Sequence, residues 1–125
     1  MIKDLNITGT EDTPAIHYDR QKNVFEISGR SLPEDVVTFY KPVIDWLDDL
    51  EKEPISDLEF VFKLDYFNTA SSKLILDILL KVNDIFTEGT AMKVKWMFLQ
   101  MDRDLEEAGE EYSELIEMPF ELVAY

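Results

Sequence analysis

The sequence predicts a two-layer α/β domain with a mixed β-sheet and helices packed on one face. Three observations carry this. Several segments alternate apolar and polar residues with the period of a strand, among them Leu58, Phe60, Phe62, Leu64 and Tyr66, and later Met92, Val94, Trp96 and Phe98. Between them run stretches in which apolar residues recur at helical spacing. The faces opposite the apolar ones carry Glu59, Lys63, Asp65, Lys93 and Lys95, so the sheet has one solvated side, unlike a sheet buried on both faces.

The elements follow in chain order. A short strand is expected over Leu5 to Thr8, then a hairpin with arms near Pro14 to Tyr18 and Val24 to Ser28, turning through Asp19-Arg20-Gln21-Lys22-Asn23. Ser31-Leu32-Pro33-Glu34 reads as a capping box with proline in the first turn of a helix. Its apolar stripe is Val36, Phe39, Tyr40, Val43, Leu47 and Leu50, and it runs to about Lys52 before Pro54. Pro42 lies inside it and cannot donate to the carbonyl of Thr38, which predicts a kink or a break. The Leu58 to Tyr66 strand passes through Asn68-Thr69-Ala70-Ser71-Ser72 into a helix bearing Ile75, Ile78, Leu79, Val82 and Phe86, closed by Gly89. After the strand at Met92 to Phe98, Leu105, Ala108, Tyr112 and Leu115 define an acidic helix that Pro119 ends, and Phe120 to Ala124 forms a last edge strand. One early antiparallel hairpin followed by helical crossovers gives the mixed sheet.

Composition bounds the function. With 125 residues, 46% of them hydrophobic, residues 1–125 make one domain with a genuine core. There is no cysteine, which excludes disulfides, thiolate metal sites and a cysteine nucleophile. No apolar run reaches the ~18 residues of a membrane span, and the opening residues do not read as a signal peptide, so a cytoplasmic protein is expected. A formal net charge of −15 argues against nucleic acid and anionic lipid surfaces as partners. The nine acids between Asp102 and Glu121 read as a solvated helix face, or as a means of steering a basic partner.

The helix opening at Thr69 stands out against this acidity. Carboxylates are favoured in a helix's first turn, yet none occurs between Asp65 and Asp77, and Lys73 is the one charge in the gap. The backbone N–H groups of a helix start would accept a dianionic phosphate on Thr69, although simple capping by Asn68, Thr69 or Ser71 explains the same residues. Taking Thr69 as the origin at ~100° per residue, Lys73, Leu76 and Leu80 share its side of the helix, away from the sheet. Other chemistry finds little support. His17 is the sole histidine and reads as a surface strand residue, no phosphate-cradling glycine loop is present, and Trp46 and Trp96 read as packing residues.

Tyr66-Phe67-Asn68-Thr69-Ala70-Ser71-Ser72-Lys73, with Ile7-Thr8-Gly9-Thr10, Thr13-Pro14-Ala15-Ile16 and Ile44-Asp45-Trp46, resembles the SiaC family of bacterial regulatory phosphoproteins over nearly the whole chain. Ala70 stands where a serine is familiar, and the glycine-containing Asp-Ser turn of anti-sigma-factor antagonists is absent. The resemblance implies a STAS-like fold, like that of those antagonists, and phosphorylation on Thr69 by a dedicated kinase, reversed by a PP2C-type phosphatase. It also implies that the unphosphorylated form binds and activates a diguanylate cyclase, placing the chain in cyclic-di-GMP signalling and control of biofilm or aggregation. The expected partner-binding residues are Asn68, Thr69, Ser71, Ser72, Lys73, Leu76 and Leu80, with no catalytic residue, cofactor or metal. The alternatives are a small enzyme with Thr69 or Ser71 as nucleophile, for which no base is visible, and a constitutive structural subunit.

Overall fold

The computed structural model describes residues 2–125. Nine elements follow one another: β1 (Asn6–Ile7), β2 (Ala15–Asp19), β3 (Val24–Ser31), α1 (Val36–Lys52), β4 (Leu58–Phe67), α2 (Thr69–Thr87), β5 (Met92–Phe98), α3 (Arg103–Glu114) and β6 (Phe120–Ala124). The six strands form one sheet in the order β1-β2-β3-β4-β5-β6. β1, β2 and β3 pair antiparallel, and β3 through β6 pair parallel. A parallel pair needs a crossover, and each of the three helices supplies one.

The three helices cover a single face. Phe25 and Ile27 of β3, Phe60, Phe62 and Leu64 of β4, and Val94, Trp96 and Phe98 of β5 point into the core. They meet Tyr40, Val43, Leu47 and Leu50 of α1, Ile75, Ile78, Leu79 and Val82 of α2, and Leu105 and Tyr112 of α3. Trp46 packs against Tyr18 and Phe25, and Trp96 against Phe62, Tyr112 and Phe120, so both tryptophans are packing residues. On the open face Glu59 pairs with Lys93 at 3.1 Å and Lys95 at 3.6 Å, and His17 is exposed between Asn6 and Glu26.

Four local expectations are corrected. Ser31 does not cap α1: it is the last residue of β3, continuing the inward parity of Phe25 and Ile27, and it is fully buried. The cap is Asp35, whose carboxylate accepts from the Thr38 N–H at 3.1 Å. α1 also runs unbroken through Pro42. The Thr38 carbonyl that loses its donor lies on the exposed side of the helix, where it is open to solvent. Tyr66 is exposed and Phe67 turns toward the core, because β4 has one residue more than β3 between the pairs Leu64–Gly29 and Tyr66–Arg30, and that extra residue shifts the alternation. Leu115, finally, caps α3 and is exposed, while Ile116 is buried in its place.

Two glycines are required by geometry. Gly89 ends α2 with φ of +117°, the left-handed conformation a helix C-terminus favours in glycine. Gly109 lets α3 lie directly on the sheet: a Cβ there would fall 2.5 Å from Cδ1 of Trp96 and 2.6 Å from Cδ2 of Leu122.

Candidate functional site

The helix-opening turn is held from below. Asn68 caps α2, its side-chain oxygen accepting from the Ser71 N–H at 2.8 Å, while its own N–H donates to the Ser31 carbonyl at 3.2 Å. Beneath the turn three hydroxyls from three elements form a buried chain. Tyr40 and Ser31 share a hydrogen bond of 2.6 Å, Ser31 Oγ donates to Ser71 Oγ at 2.8 Å, and Ser71 Oγ donates to the Ser31 carbonyl at 3.0 Å. Burial pushes the Tyr40 phenol up to about 12, against the smaller opposing effect of its Ser31 hydrogen bond. On the α3 side, the Tyr112 hydroxyl donates to the Ser72 carbonyl at 2.9 Å. Burial, and secondly the charge of Glu111, push that phenol up to about 12 as well.

This scaffold sorts the turn's hydroxyls. Ser71 is fully buried, so it does not offer the surface contact expected of it, and its role is internal hydrogen bonding. Ser72 is half-buried, its Oγ donating back to the Thr69 carbonyl at 2.7 Å. Thr69, the first residue of α2, is exposed, and so are Ala70 and Lys73. The first turn of α2 contains no acid, and the N–H groups of Thr69 and Ala70, in its opening positions, have no intrahelical acceptor.

Further along α2, Leu80 is 40% exposed, in the direction of Thr69. Leu76 is not: it is half-buried against the core. The reason is α3 and the segment that follows it. Ser72, Leu76 and Asn83 stand four and seven residues apart on one flank of α2, and that flank is tied down by Tyr112 and by the Asn83 side chain, which accepts from the Glu117 and Met118 N–H groups at 2.9 and 3.0 Å. The opposite flank is held to α1 by a 2.5 Å ion pair of Lys81 with Asp48. A narrow stripe of Thr69, Lys73 and Leu80 is left facing solvent.

The sequence reading missed the buried hydroxyl chain and the apolar residues that end the strands beside the turn. The signal for Ser31 was present in the strand alternation 25, 27, 29, 31. No short-range pattern, by contrast, joins Ser31, Tyr40 and Ser71, which meet only once the sheet forms. Among the described residues, no group of three or more His, Cys, Asp or Glu is placed to hold a metal ion, and no helix is long and apolar enough to cross a membrane.

Fold and turn together define a mixed α/β domain that presents the acid-free start of α2 to solvent, the form of a small regulatory phosphoprotein. The chain belongs to the SiaC family of regulatory phosphoproteins, whose profile matches residues 7–125. It is 32% identical to an uncharacterized protein of Pseudomonas aeruginosa strain UCBPP-PA14 over 99% of this chain and 98% of that one. Its structure is similar to apo-SiaC from Pseudomonas aeruginosa, with a TM-score of 0.89 at 33% identity over 98% of this chain and 99% of that one. It is equally similar to the SiaC that was crystallised in complex with the diguanylate cyclase SiaD, as its activator. There the TM-score is 0.91 at 32% identity, over 98% of this chain and 100% of the other.

Proposed function

We propose that the unphosphorylated chain binds and activates a diguanylate cyclase, and that phosphorylation of Thr69 releases the cyclase. In this reading a partner kinase and a PP2C-type phosphatase set the balance in the cytoplasm, and the chain itself catalyses no reaction. One observation carries the choice of residue: of the three hydroxyls in the turn, that of Thr69 alone is exposed, while Ser71 is buried and Ser72 is half-buried and bonded to the backbone. The acid-free first turn and the amides of Thr69 and Ala70 favour the dianion electrostatically, so modification need not unfold the helix. The cyclase assignment is supported by family membership and by the activator role of the similar SiaC.

The test is phosphopeptide mapping of the protein from its native cells, paired with cyclase assays. Thr69→Ala should keep the fold and the activation but ignore the kinase. Thr69→Asp should weaken activation only in part, since a carboxylate lacks the bulk and the three strong acceptor oxygens of a phosphate. Phosphate mapped to Ser71 or Ser72 would refute the residue, and a phosphorylated form that activates as well as the unmodified one would refute the switch.

A further inference from the structure

Among the described residues eight large apolar side chains are exposed, and Tyr66, Leu99, Met101 and Tyr125 are at or just past the ends of parallel strands β4, β5 and β6. Three of these form one continuous surface. Leu99 walls a hollow with Met101, Asp102 and Asp104, and also walls the adjoining one with Tyr125, Lys63 and Asp65. Met101 is 92% exposed and Leu99 49%, in a tight turn closed by the Asp102 N–H donating to the Leu99 carbonyl at 2.8 Å. Such a turn does not require apolar side chains, and a polar pair would serve folding equally well, so the exposed patch calls for another reason.

Charge states what would cover it. The two hollows carry Glu26, Asp65, Asp102 and Asp104 against Lys63 and Arg103, and Lys63 is already stacked over the Tyr125 ring at 4.8 Å. The charges of Asp65 and Asp102, after burial, hold the Tyr125 phenol above its ordinary range, which places both acids beside that ring. An apolar centre with an acidic rim is complementary to an apolar segment flanked by lysine or arginine, and the net charge of −15 would draw such a segment in.

We infer that Leu99, Met101 and Tyr125 form a docking surface for the cyclase, occupied by an apolar segment that carries lysine or arginine. This rests on the cyclase reading above. Thr69 lies two residues beyond β4 and Leu99 one residue beyond β5, and these are neighbouring parallel strands, so one partner spans both. Phosphate on Thr69 then releases a basic partner by its bulk and tightly held water at the contact, since its charge alone would attract.

The test uses the full chain and purified SiaD of Pseudomonas aeruginosa as the probe, with affinity measured by titration calorimetry. Met101→Asp and Leu99→Asp should each weaken binding at least tenfold with an unchanged melting temperature. Leu115→Asp, an equally exposed leucine at the far end of α3, should bind as the unsubstituted chain does. Affinity should also fall severalfold between low and physiological salt. Unaltered binding by both patch variants overturns the surface and leaves the cyclase reading standing. Loss of affinity without any salt dependence overturns the basic character of the occupant. An unsubstituted chain that neither binds nor activates SiaD overturns the cyclase reading and the docking surface together.

Discussion

Replacing Ser71 by alanine separates a structural hydroxyl from the one proposed for modification. In the folded protein Ser71 Oγ accepts from Ser31 Oγ and donates to the Ser31 carbonyl. Without it, Ser31 Oγ still has Tyr40, and the Ser31 carbonyl still has the Asn68 N–H, so neither buried group is stranded. Two hydrogen bonds lost with no orphan left cost about 1–2 kcal/mol. For a domain of this size that lowers the melting temperature by roughly 3–10 °C. Ser31→Ala should cost more, about 2–4 kcal/mol, because Tyr40 then keeps a fully buried hydroxyl with no partner. Thermal and urea melts measure both, and the double variant should lose less than the sum of the two. Phosphate incorporation by the kinase, measured well below the melting temperature, should be the same for Ser71→Ala as for the unsubstituted protein. A Ser71→Ala protein that melts normally but no longer takes up phosphate would sink both the buried role of Ser71 and the assignment to Thr69.

Three further outcomes are expected. Gly109→Ala should destabilise by about 1–3 kcal/mol in a urea titration, because its Cβ would drive Trp96 away from the Leu105 carbonyl it bonds at 2.9 Å; a neutral effect would show that α3 lifts off the sheet freely. Alkaline pH should unfold the domain: Tyr40 and Tyr112 are held at about 12 in the fold against about 10 when unfolded, so their contribution is complete below about pH 10 and is lost as pH rises toward 12, at up to ~1.4 kcal/mol per unit for each. Tyr40→Phe should flatten that slope in melts taken from pH 9 to 11, and an unchanged slope would contradict the buried position of the phenol. Leu80→Glu should leave stability within about 0.5 kcal/mol while weakening cyclase binding, whereas Leu76→Glu should cost about 2 kcal/mol or more; equal melting temperatures would show that α3 does not cover Leu76.

The elements with strong periodicity were legible. The β4 and β5 alternations, the apolar stripes of α1 and α2, and the stop at Gly89 all follow from nearest-neighbour chemistry, and so does the single covered face of the sheet. What the sequence concealed depends on partners distant along the chain. Ser31 with Glu34 satisfies a capping-box pattern that Asp35 lacks, and the pairing of Ser31 with Phe67 across the sheet overrides it. Leu76 and Leu80 occupy equivalent places on an isolated helix, and they differ only because Tyr112, forty residues after Ser72, ties α3 along one flank. Thr69 was legible as an unusual helix start, but its separation from Ser71 by burial was not, since the helical angle that hides Ser71 acts through Tyr40 and Ser31.

The sequential strand order has a consequence for how the chain assembles. Each strand lies beside the one made before it, and no later strand inserts between earlier ones, so the sheet can grow at one edge as the chain emerges. Ser31, Tyr40 and Ser71 are all present once α2 is complete, so the turn that opens α2 can be anchored while roughly the last third of the chain is still missing. The strut from Tyr112 to Ser72 follows only when α3 has been made. A chain arrested after α2 would display Thr69 on an anchored turn but leave Ser72 and Leu76 uncovered, so the surface around Thr69 is complete only once α3 has docked.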